Sequence, residues 1–416
     1  MLKSKENRVL AISTIIIGVL AGMGSLALSL FYDVIEHLFL RYNETTWSPV
    51  AWAAGGKIRL ISLVVGGILA ALSWWFMRTR MKPTVSINQG LDGKKMPVGT
   101  TALHVFTQIF FVGVGGSVGK ELAPRELGAM LSQTWQRFMS KFTPVQLSPE
   151  DRKLLVAAAA GAGFAGVYIA PITGTMFSLE LLLKRIDQRS ILVSLTMSIE
   201  AMLVGSLLKG FHPYYGVGNG KFSLISTLVV LVVGPVCGIL GSLFRKLFKW
   251  ANAHQTRDNK LLWQLPLVAL LTGLIAFYFP EIMSNGRPLA QTAFATTNAG
   301  FILKVLLIGA VLKALVTVLS LRAGASGGTL TPSIAIGAVV GVTFGIVVNH
   351  FFPAVPIWET GLLGASSLLA ASQQAPLMAL FMIFEVCHLN YSALLPLGLG
   401  VCLAVITSKY ILKKAH

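Results

Sequence analysis

Apolar runs of membrane-spanning length recur along the whole chain and limit what it can fold into. A helix needs about 20 predominantly apolar residues to cross a bilayer, so a chain with many such runs can cross several times. The hydrophobic share is 54% and the charged share only 12%, well below that of a soluble domain. We therefore predict an all-α polytopic membrane protein. The clearest runs are 9–31, 60–77, 222–243, 261–279, 301–319 and 391–406.

The chain carries a formal net charge of +18, which in a soluble protein would suggest binding to nucleic acid. Here the Lys and Arg residues cluster in short segments between apolar runs, such as 78–82, 184–189 and 245–249. Attraction to lipid headgroups and the positive-inside rule account for this pattern. The sequence therefore predicts a multi-pass protein of the cell membrane that is surrounded by lipid and has no nucleic-acid partner.

Side chains that could hold a metal or carry out catalysis are few and scattered. Cys237, Cys387 and Cys402 lie in apolar stretches without the spacing of metal ligands. The seven histidines are dispersed, and no His and Glu have the spacing of a zinc protease. We expect no metal site, no cofactor and no enzymatic activity.

Two pairs of similar segments recur in the same order along the chain. Segments 160–171 and 364–376 are rich in small residues and end in Ala-Pro, and a glutamate follows nine residues beyond each proline. The other pair, 119–129 and 328–338, lies upstream and is separated by about 209 positions, close to the separation of about 205 for the first pair. Such a repeated order indicates that the chain is duplicated.

Duplicated halves with broken helices are typical of membrane transporters. We predict a single transmembrane domain over 1–416, with approximate halves 1–210 and 211–416 and no cytosolic regulatory domain. Glycine and proline clusters at 113–124 and 324–332 are expected to interrupt helices, because irregular backbone within a membrane has to line a cavity.

One helix is expected to begin near Pro124 and another near Pro332, because proline is tolerated in the first turn. The free N–H groups at two such helix starts can bind an anion without a fixed full charge. Glu121, two or three residues before the first of these starts, could occupy the anion position and open the path when it is protonated. The alternative is that Glu121 only caps the helix and neutralises Lys120 or Arg125.

Three further glutamates, Glu180, Glu200 and Glu385, lie within or at the edge of apolar segments. An ionisable group is costly in the membrane and is therefore a candidate functional residue. Each of these glutamates could equally lie at the membrane surface and face lysines of the loops. The residues alone leave both interpretations open.

Together these motifs resemble those of the CLC family of chloride channels and proton-coupled anion antiporters, over about residues 60–405. The Gly-Lys-Glu sequence at 119–121 resembles the family's Gly-Arg-Glu-Gly-Pro motif, in which the glutamate is the external gate. The Gly-Thr-Leu-Thr-Pro sequence at 328–332 resembles its Gly-x-Phe-x-Pro element, whose backbone amides line the anion path. The resemblance implies a CLC-like inverted repeat, and a homodimer with one pathway per subunit.

The resemblance also implies which residues contact the anion. The family's Gly-Ser-Gly-Ile-Pro motif, whose serine contacts the ion, has no clear copy here, and its counterpart falls near 79–83. Because fluoride-handling members also replace that serine, the choice between chloride and fluoride stays open. The implied anion-binding residues are Gly119, Lys120, Glu121, Leu122, Arg80, Met81, Gly328, Thr329, Leu330 and Thr331, with Glu121 as the gate.

Other differences from the family concern proton coupling and helix ends. Leu181 occupies the position of the internal proton-accepting glutamate of many coupled members, which favours a channel unless Glu180 or Glu200 carries the proton. The Leu-Ala-Pro sequence at 122–124 shifts the proline by one position. By the same comparison the chain ends before the family's last helix, and Tyr410 is a poor counterpart of that helix's ion-contacting tyrosine.

We predict transport of a small inorganic anion, chloride or fluoride, through a pathway gated by Glu121. The protein is then either a passive channel or a proton-coupled antiporter. A cation-coupled carrier of organic solutes would need polar side chains that converge at the membrane midplane, and the chain offers few. An intramembrane enzyme would need clustered nucleophiles, acids or metal ligands.

Overall fold

The computed structural model describes residues 5–218, 220–297, 301–353 and 355–413, and its regular elements in these ranges are helices. Seven helices in the described ranges are long and apolar enough to cross a membrane, which confirms the predicted polytopic all-α class. The α-helices are α1 Lys5–Leu40, α2 Gly56–Arg80, α3 Ile87–Leu91, α4 Val98–Gly113, α5 Leu122–Met139, α6 Pro149–Tyr168, α7 Pro171–Met176, α8 Gln188–Lys209, α9 Leu224–Ala253, α10 Leu261–Ala276, α11 Arg287–Phe294, α12 Phe301–Arg322, α13 Leu330–Phe351, α14 Ile357–Gln373, α15 Pro376–Val386 and α16 Leu394–Lys413.

The predicted apolar runs match helices, with two differences in length. The run 9–31 lies within α1, whose 36 residues extend about 54 Å, more than the thickness of a bilayer. The run 261–279 forms α10, which ends at Ala276 after only 16 residues. Phe279, the residue before Pro280, has non-helical dihedral angles (φ −126°, ψ 70°). Proline disfavours the helical conformation of the residue before it, so this helix cannot continue to the end of the apolar run.

Several helices begin at residues that cap them. Ser148, Asp187 and Ser223 directly precede α6, α8 and α9, and the side chain of each accepts a hydrogen bond from a backbone N–H of the first turn. Such caps satisfy donors that have no acceptor within the helix. The starts of these three helices are therefore fixed by residues next to them in the sequence.

The predicted duplication is visible in the backbone. Ile169 and Gln374 end α6 and α14 in the left-handed conformation, with φ of 54° and 59°. An Ala-Pro pair follows each of them and begins α7 or α15. The two alanines, Ala170 and Ala375, have nearly the same dihedral angles, with φ of −132° and −135° and ψ of 75° and 82°. Two segments of different sequence thus share one backbone conformation.

Close packing between helices is duplicated as well. Gly128 of α5 and Gly337 of α13 lie about 209 positions apart, as the repeat predicts. A Cβ added to Gly128 would lie 2.1 Å from the carbonyl oxygen of Ala159 in α6, and one added to Gly337 would lie 2.4 Å from that of Gly364 in α14. Only a residue without a side chain allows backbones to approach this closely. The pairs α5–α6 and α13–α14 therefore pack through the same kind of contact.

The chain forms two compact units, each assembled from separate stretches of sequence. In the first unit α1, α6 and α8 enclose a core that contains Ile17, Leu155 and Met197. A core of the second unit contains Leu63 of α2 and Val316 of α12. The first unit comprises the chain up to Phe31 with 76–109 and 121–212, and the second comprises 32–75, 110–120 and the chain from Pro213 onward.

Candidate functional site

The two glycine-rich segments end the helices α4 and α12 in the same way. Gly115 and Gly324 have φ of +106° and +112°, a conformation that glycine adopts far more readily than other residues. The next residue in each segment donates its N–H to a carbonyl oxygen five positions earlier, from Gly116 to Phe111 at 2.8 Å and from Ala325 to Ser320 at 3.0 Å. This hydrogen bond with a positive-φ glycine is the usual way to terminate a helix. The predicted interruptions are confirmed at both places.

Gly119 and Gly328 lie side by side within the second unit. The N–H of each donates to the carbonyl oxygen of the other at 2.8 Å, which makes them the one β-bridged pair in the described part of the chain. The helices that follow begin at Leu122 and Leu330, and each has proline as its third residue. Because each glycine N–H already donates to the other glycine's carbonyl oxygen, any free amide donors of these two segments belong to the residues that follow.

Glu121 and Thr329 occupy the N-cap positions of α5 and α13, and neither side chain hydrogen-bonds to the first turn of its helix. Glu121 therefore lies directly before its helix, and not two or three residues before it as the sequence suggested. The shifted proline explains the difference, because the helix already starts at Leu122. Glu121 is fully buried, and its side chain is not a helix cap.

Lys120 belongs to a buried cluster of charges in the second unit. Its ammonium group lies 2.9 Å from Oε1 of Glu44, and a guanidinium nitrogen of Arg287 lies 2.9 Å from the same oxygen. The three side chains are 5–8% exposed. The sequence left open that Glu121 neutralises Lys120, but in the structure Lys120 pairs with Glu44. A buried carboxylate shared by two cations holds both of them in place beside Gly119.

Two tyrosines complete this cluster. The Lys120 ammonium lies 3.9 Å from the ring centre of Tyr32, and the Arg287 guanidinium lies 4.0 Å from that of Tyr214. Arg287 also donates two hydrogen bonds to the backbone carbonyl of Tyr214, at 3.0 and 2.6 Å. Contacts with aromatic rings stabilise cations that have been removed from water. The segment that carries Gly119 is thus anchored by charge and by aromatic packing.

The electrostatics of the cluster favour an ionised Glu44, which lies in the loop between α1 and α2. Burial alone would raise the pKa of the Glu44 carboxyl, but Lys120 and Arg287 outweigh burial and lower the pKa to about 2. For Arg287, burial acts to lower the pKa of the guanidinium, and the charge of Glu44 raises it above its usual value. The ion pairs therefore persist over the whole physiological pH range.

Neither Glu44 nor Arg287 was among the site residues predicted from the sequence. Arg287 follows Gly286, which has φ of +99°, and precedes Pro288, so it begins the buried helix α11. A Gly-x-Pro sequence that opens a helix was a usable signal for a third helix start. No comparable signal marks Glu44, which pairs with Lys120 across 76 residues of sequence and with Arg287 across 243.

A buried lysine fixes the glycine-rich segment from another direction. Lys313 of α12 is fully buried and donates hydrogen bonds to Oγ of Ser117 at 2.8 Å and to the carbonyl oxygens of Ile282 and Ser284 at 3.0 and 2.6 Å. Charged side chains are buried in a membrane protein only when polar partners surround them. Ser117 is thereby held two residues before the paired Gly119.

Within the first unit, Arg125 lies in the first turn of α5 and is 8% exposed. Its Nε donates a hydrogen bond of 2.6 Å to the backbone carbonyl of Glu121, and its guanidinium lies 4.8 Å from the ring centre of Phe177. The guanidinium therefore contributes positive charge next to the predicted gate while it bonds to the backbone of that residue.

The structure places the remaining predicted residues as follows. Arg80 is the exposed last residue of α2, and Met81 comes directly after it. Glu180 is partly buried in the π-helix Phe177–Leu183, which also contains Leu181. Glu200 lies in α8, where its Oε2 is buried without a hydrogen-bond partner in the described ranges. These residues lie on separate elements, and their roles in anion or proton transport stay predictions.

The fold and the site together define a class of protein. Helices that are interrupted by glycine and duplicated in sequence, backbone and packing are features of a polytopic membrane transport protein. Among the described residues, no group of three His, Cys, Asp or Glu side chains could hold a metal ion.

The chain belongs to the voltage-gated chloride channel family, also called CLC, whose family model matches residues 66–409. This confirms the resemblance seen in the sequence, and the protein is therefore a multi-pass anion transport protein of that family. The chain is 29% identical to the voltage-gated ClC-type chloride channel ClcB of Salmonella dublin over 391 residues, which covers 91% of this chain and 90% of the relative.

Solved structures show the same fold. A slow cyanobacterial Cl−/H+ antiporter matches with a TM-score of 0.78 and 20% identity, over 97% of this chain and 94% of the antiporter chain. A CLC-type fluoride/proton antiporter matches with a TM-score of 0.70 and 21% identity, over 99% of this chain and 98% of the other. At this level of identity the likeness establishes the fold and leaves the transported ion to other arguments.

Proposed function

We propose that this protein moves chloride across a membrane through a pathway lined by backbone amides next to Gly119 and Gly328, with Glu121 as its gate. The observation that carries the proposal is the hydrogen-bonded pair of these glycines, followed within three residues by the starts of α5 and α13. The first turn of a helix offers N–H donors and the positive end of a dipole to an anion. A halide bound in this way is released more easily than one held by a fixed charge.

The proposed gate follows from the burial of Glu121. A negative charge at this buried N-cap position would occupy the place of the transported anion. Protonation of Glu121 would then free the pathway. The amides assigned to the anion are those of Lys120, Glu121 and Leu122 in one segment and those of Thr329, Leu330 and Thr331 in the other.

Chloride is the favoured ion because the relative with 29% identity is named a chloride channel. Fluoride is the second candidate, since segment 79–83 lacks the serine that the family's chloride-contacting motif carries. We propose a homodimer in the cell membrane by the same family likeness. The most exposed large apolar residues of α8 and α16, Leu207 and Leu395, then contact lipid or the second subunit.

Flux from liposomes that contain the purified protein tests these proposals. The liposomes are loaded with chloride or fluoride, and an ion electrode and a pH-sensitive dye record anion and proton movement together. We expect chloride efflux that accelerates as the pH falls, and a rate that no longer depends on pH in Glu121→Gln. The control is Glu150→Gln, because Glu150 is an exposed glutamate at the start of α6.

The results separate the alternatives. An unchanged pH profile in Glu121→Gln would reject the gate, and a fluoride rate far above the chloride rate would replace chloride by fluoride as the substrate. Absence of both fluxes in the unsubstituted protein would reject the transport proposal as a whole. Light scattering of the purified protein tests the homodimer, which a monomeric mass would contradict.

A further inference from the structure

A stripe of polar residues runs along one face of the apolar helix α4 in the first unit. Thr101, His104 and Gln108 are spaced three and four residues apart and so share one face of the helix. They are 3%, 8% and 1% exposed. Polar side chains are expensive in a membrane protein and are usually kept for function. None of these residues belongs to the pathway described above.

The stripe meets a buried carboxylate on the next helix. Glu126, in the first two turns of α5, is 8% exposed, and its Oε2 accepts a hydrogen bond from Nε2 of Gln108 at 2.7 Å. The Nε2 atom of His104 lies 3.6 Å from that same oxygen. Between α4 and α5, a carboxylate thus faces an imidazole, and one neutral amide contacts the same carboxylate oxygen. Such a pair can hold a proton on either partner.

Two arginines act electrostatically on the pair, Arg125 on Glu126 and Arg78 on His104. Arg125 precedes Glu126 in α5, but its Nε bonds to the backbone carbonyl of Glu121 and its guanidinium packs on the ring of Phe177. Arg78, near the end of α2, acts electrostatically on His104. The side-chain partners of the Glu126 carboxylate are therefore one amide and one imidazole that can itself lose its proton. A buried carboxylate in such surroundings lowers its cost by binding a proton.

The stripe also retains unused hydrogen-bonding capacity. Oγ1 of Thr101 and Oε1 of Gln108 are buried without a hydrogen-bond partner among the residues that the structure describes. Thr101 lies three residues after Val98, the start of α4, and Glu126 lies five residues after Glu121. The polar face therefore runs from the start of α4 to the helix that carries the proposed gate. Buried polar atoms of this kind are ordinarily satisfied by water or by a transported species.

From this arrangement we infer that Glu126 and His104 form a buried proton-binding site, reached along the polar face of α4, which couples proton movement to anion movement. The inference rests on the proposed transport function and deepens it. One proton adds to Oε2 of Glu126 or to Nε2 of His104, and the same proton leaves in a later step, so no other bond forms or breaks. Leu181, which cannot bind a proton, is then not needed for coupling.

The decisive variant is Glu126→Gln, which keeps the size of the side chain and its ability to hydrogen-bond Gln108 but removes the proton site. In liposomes we expect proton movement driven by a chloride gradient to fall by at least about tenfold, while chloride flux continues. Glu126→Asp should keep coupled proton movement at a reduced rate. His104→Gln should shift the pH dependence of proton movement. Glu150→Gln, the exposed control, should behave as the unsubstituted protein.

The inference is overturned if chloride flux in the unsubstituted protein carries no protons, or if Glu126→Gln moves protons as fast as the unsubstituted protein. If Glu126 serves only to link α4 to α5, Glu126→Gln should move protons as fast as the unsubstituted protein, because glutamine preserves that contact. Infrared difference spectra of purified protein give a readout independent of transport. A carboxylic-acid band that titrates in the unsubstituted protein and disappears in Glu126→Gln supports the proton-binding site. Absence of such a band rejects the site. This readout applies even if failed chloride flux has already rejected the proposed function.

Discussion

The two glycine-rich segments have nearly the same backbone and very different side chains. Both end a helix at a positive-φ glycine, pair through Gly119 and Gly328, and begin a helix whose third residue is proline. The first segment then places Lys120, Glu121 and Arg125 around its helix start. The second has Thr329 as its N-cap residue, where the first has Glu121, and no charged residue lies between 323 and 349.

The duplication thus gives both segments the same backbone geometry, whereas the ionisable side chains next to a helix start belong to the first segment. Both helix starts carry N–H groups without an acceptor in their own helix, and this follows from backbone conformation whatever the side chains. A gate and a proton site need groups that change charge, and the proposed ones lie on the first segment, on α4 and on α5. The charged copy consequently needs supporting ion pairs that the uncharged copy does not.

The strongest test of this contrast removes the carboxylate that supports the charged copy. Glu44→Gln removes the carboxylate that the buried Lys120 and Arg287 share, and we expect a loss of about 3–5 kcal/mol in the free energy of unfolding. Thermal and denaturant unfolding in detergent measure it. The control Glu150→Gln disrupts an exposed pair with Arg185, and should cost less than about 1 kcal/mol. Equal losses in the two variants would remove the contrast between the segments.

The pH dependence sharpens the same test. The pKa of Glu44 is about 2 in the folded protein against an ordinary value of 4.5, so ionised Glu44 stabilises the fold above pH 4.5 and this contribution is lost as the pH falls towards 2. The stability difference between the unsubstituted protein and Glu44→Gln should therefore shrink as the pH falls from about 4.5 towards 2. A difference that stays the same over this range would contradict the ion-paired state of Glu44.

A second test concerns the lysine that holds only the first segment. Lys313→Met removes the donor to Ser117, Ile282 and Ser284 and leaves three buried acceptors, so we expect a loss of about 2–4 kcal/mol in the free energy of unfolding. Lys304→Met, an exposed position of the same helix, is the control and should change stability little. A mild effect at Lys313 would mean that the first segment holds its shape without this support.

The smallest effects are expected where the two copies agree. Gly115→Ala and Gly324→Ala each force alanine into a backbone conformation with φ above 100°, and each should cost about 1–3 kcal/mol of unfolding free energy. The cost at Gly115 should be slightly higher, because the added Cβ would lie 2.4 Å from the flexible end of Met283. Gly398→Ala has open space within α16 and should stabilise the protein slightly. Clearly unequal costs at Gly115 and Gly324 would show that the two backbones are less alike than their hydrogen bonds indicate.

Features that depend on neighbouring residues were predictable from the sequence. Apolar runs gave the helices, the repeated Ala-Pro and glycine motifs gave the duplication, and the proline positions gave both helix starts to within two residues. The sequence placed Glu121 slightly too far from its helix, because the proline in 122–124 sits one position later than in the family motif. The early end of α10 was missed because Pro280 lies just beyond the apolar run.

An all-helical membrane protein, its internal repeat and the places where its helices break can be predicted from the sequence, since each follows from periodicity, composition or backbone conformation over a few residues. Which charges meet depends on the folded structure. Glu44 joins Lys120 and Arg287, and Gln108 brings α4 to Glu126, across separations in sequence that no local pattern records. The physical reason is that burial makes ionisable groups depend on whichever partners folding brings within hydrogen-bond distance.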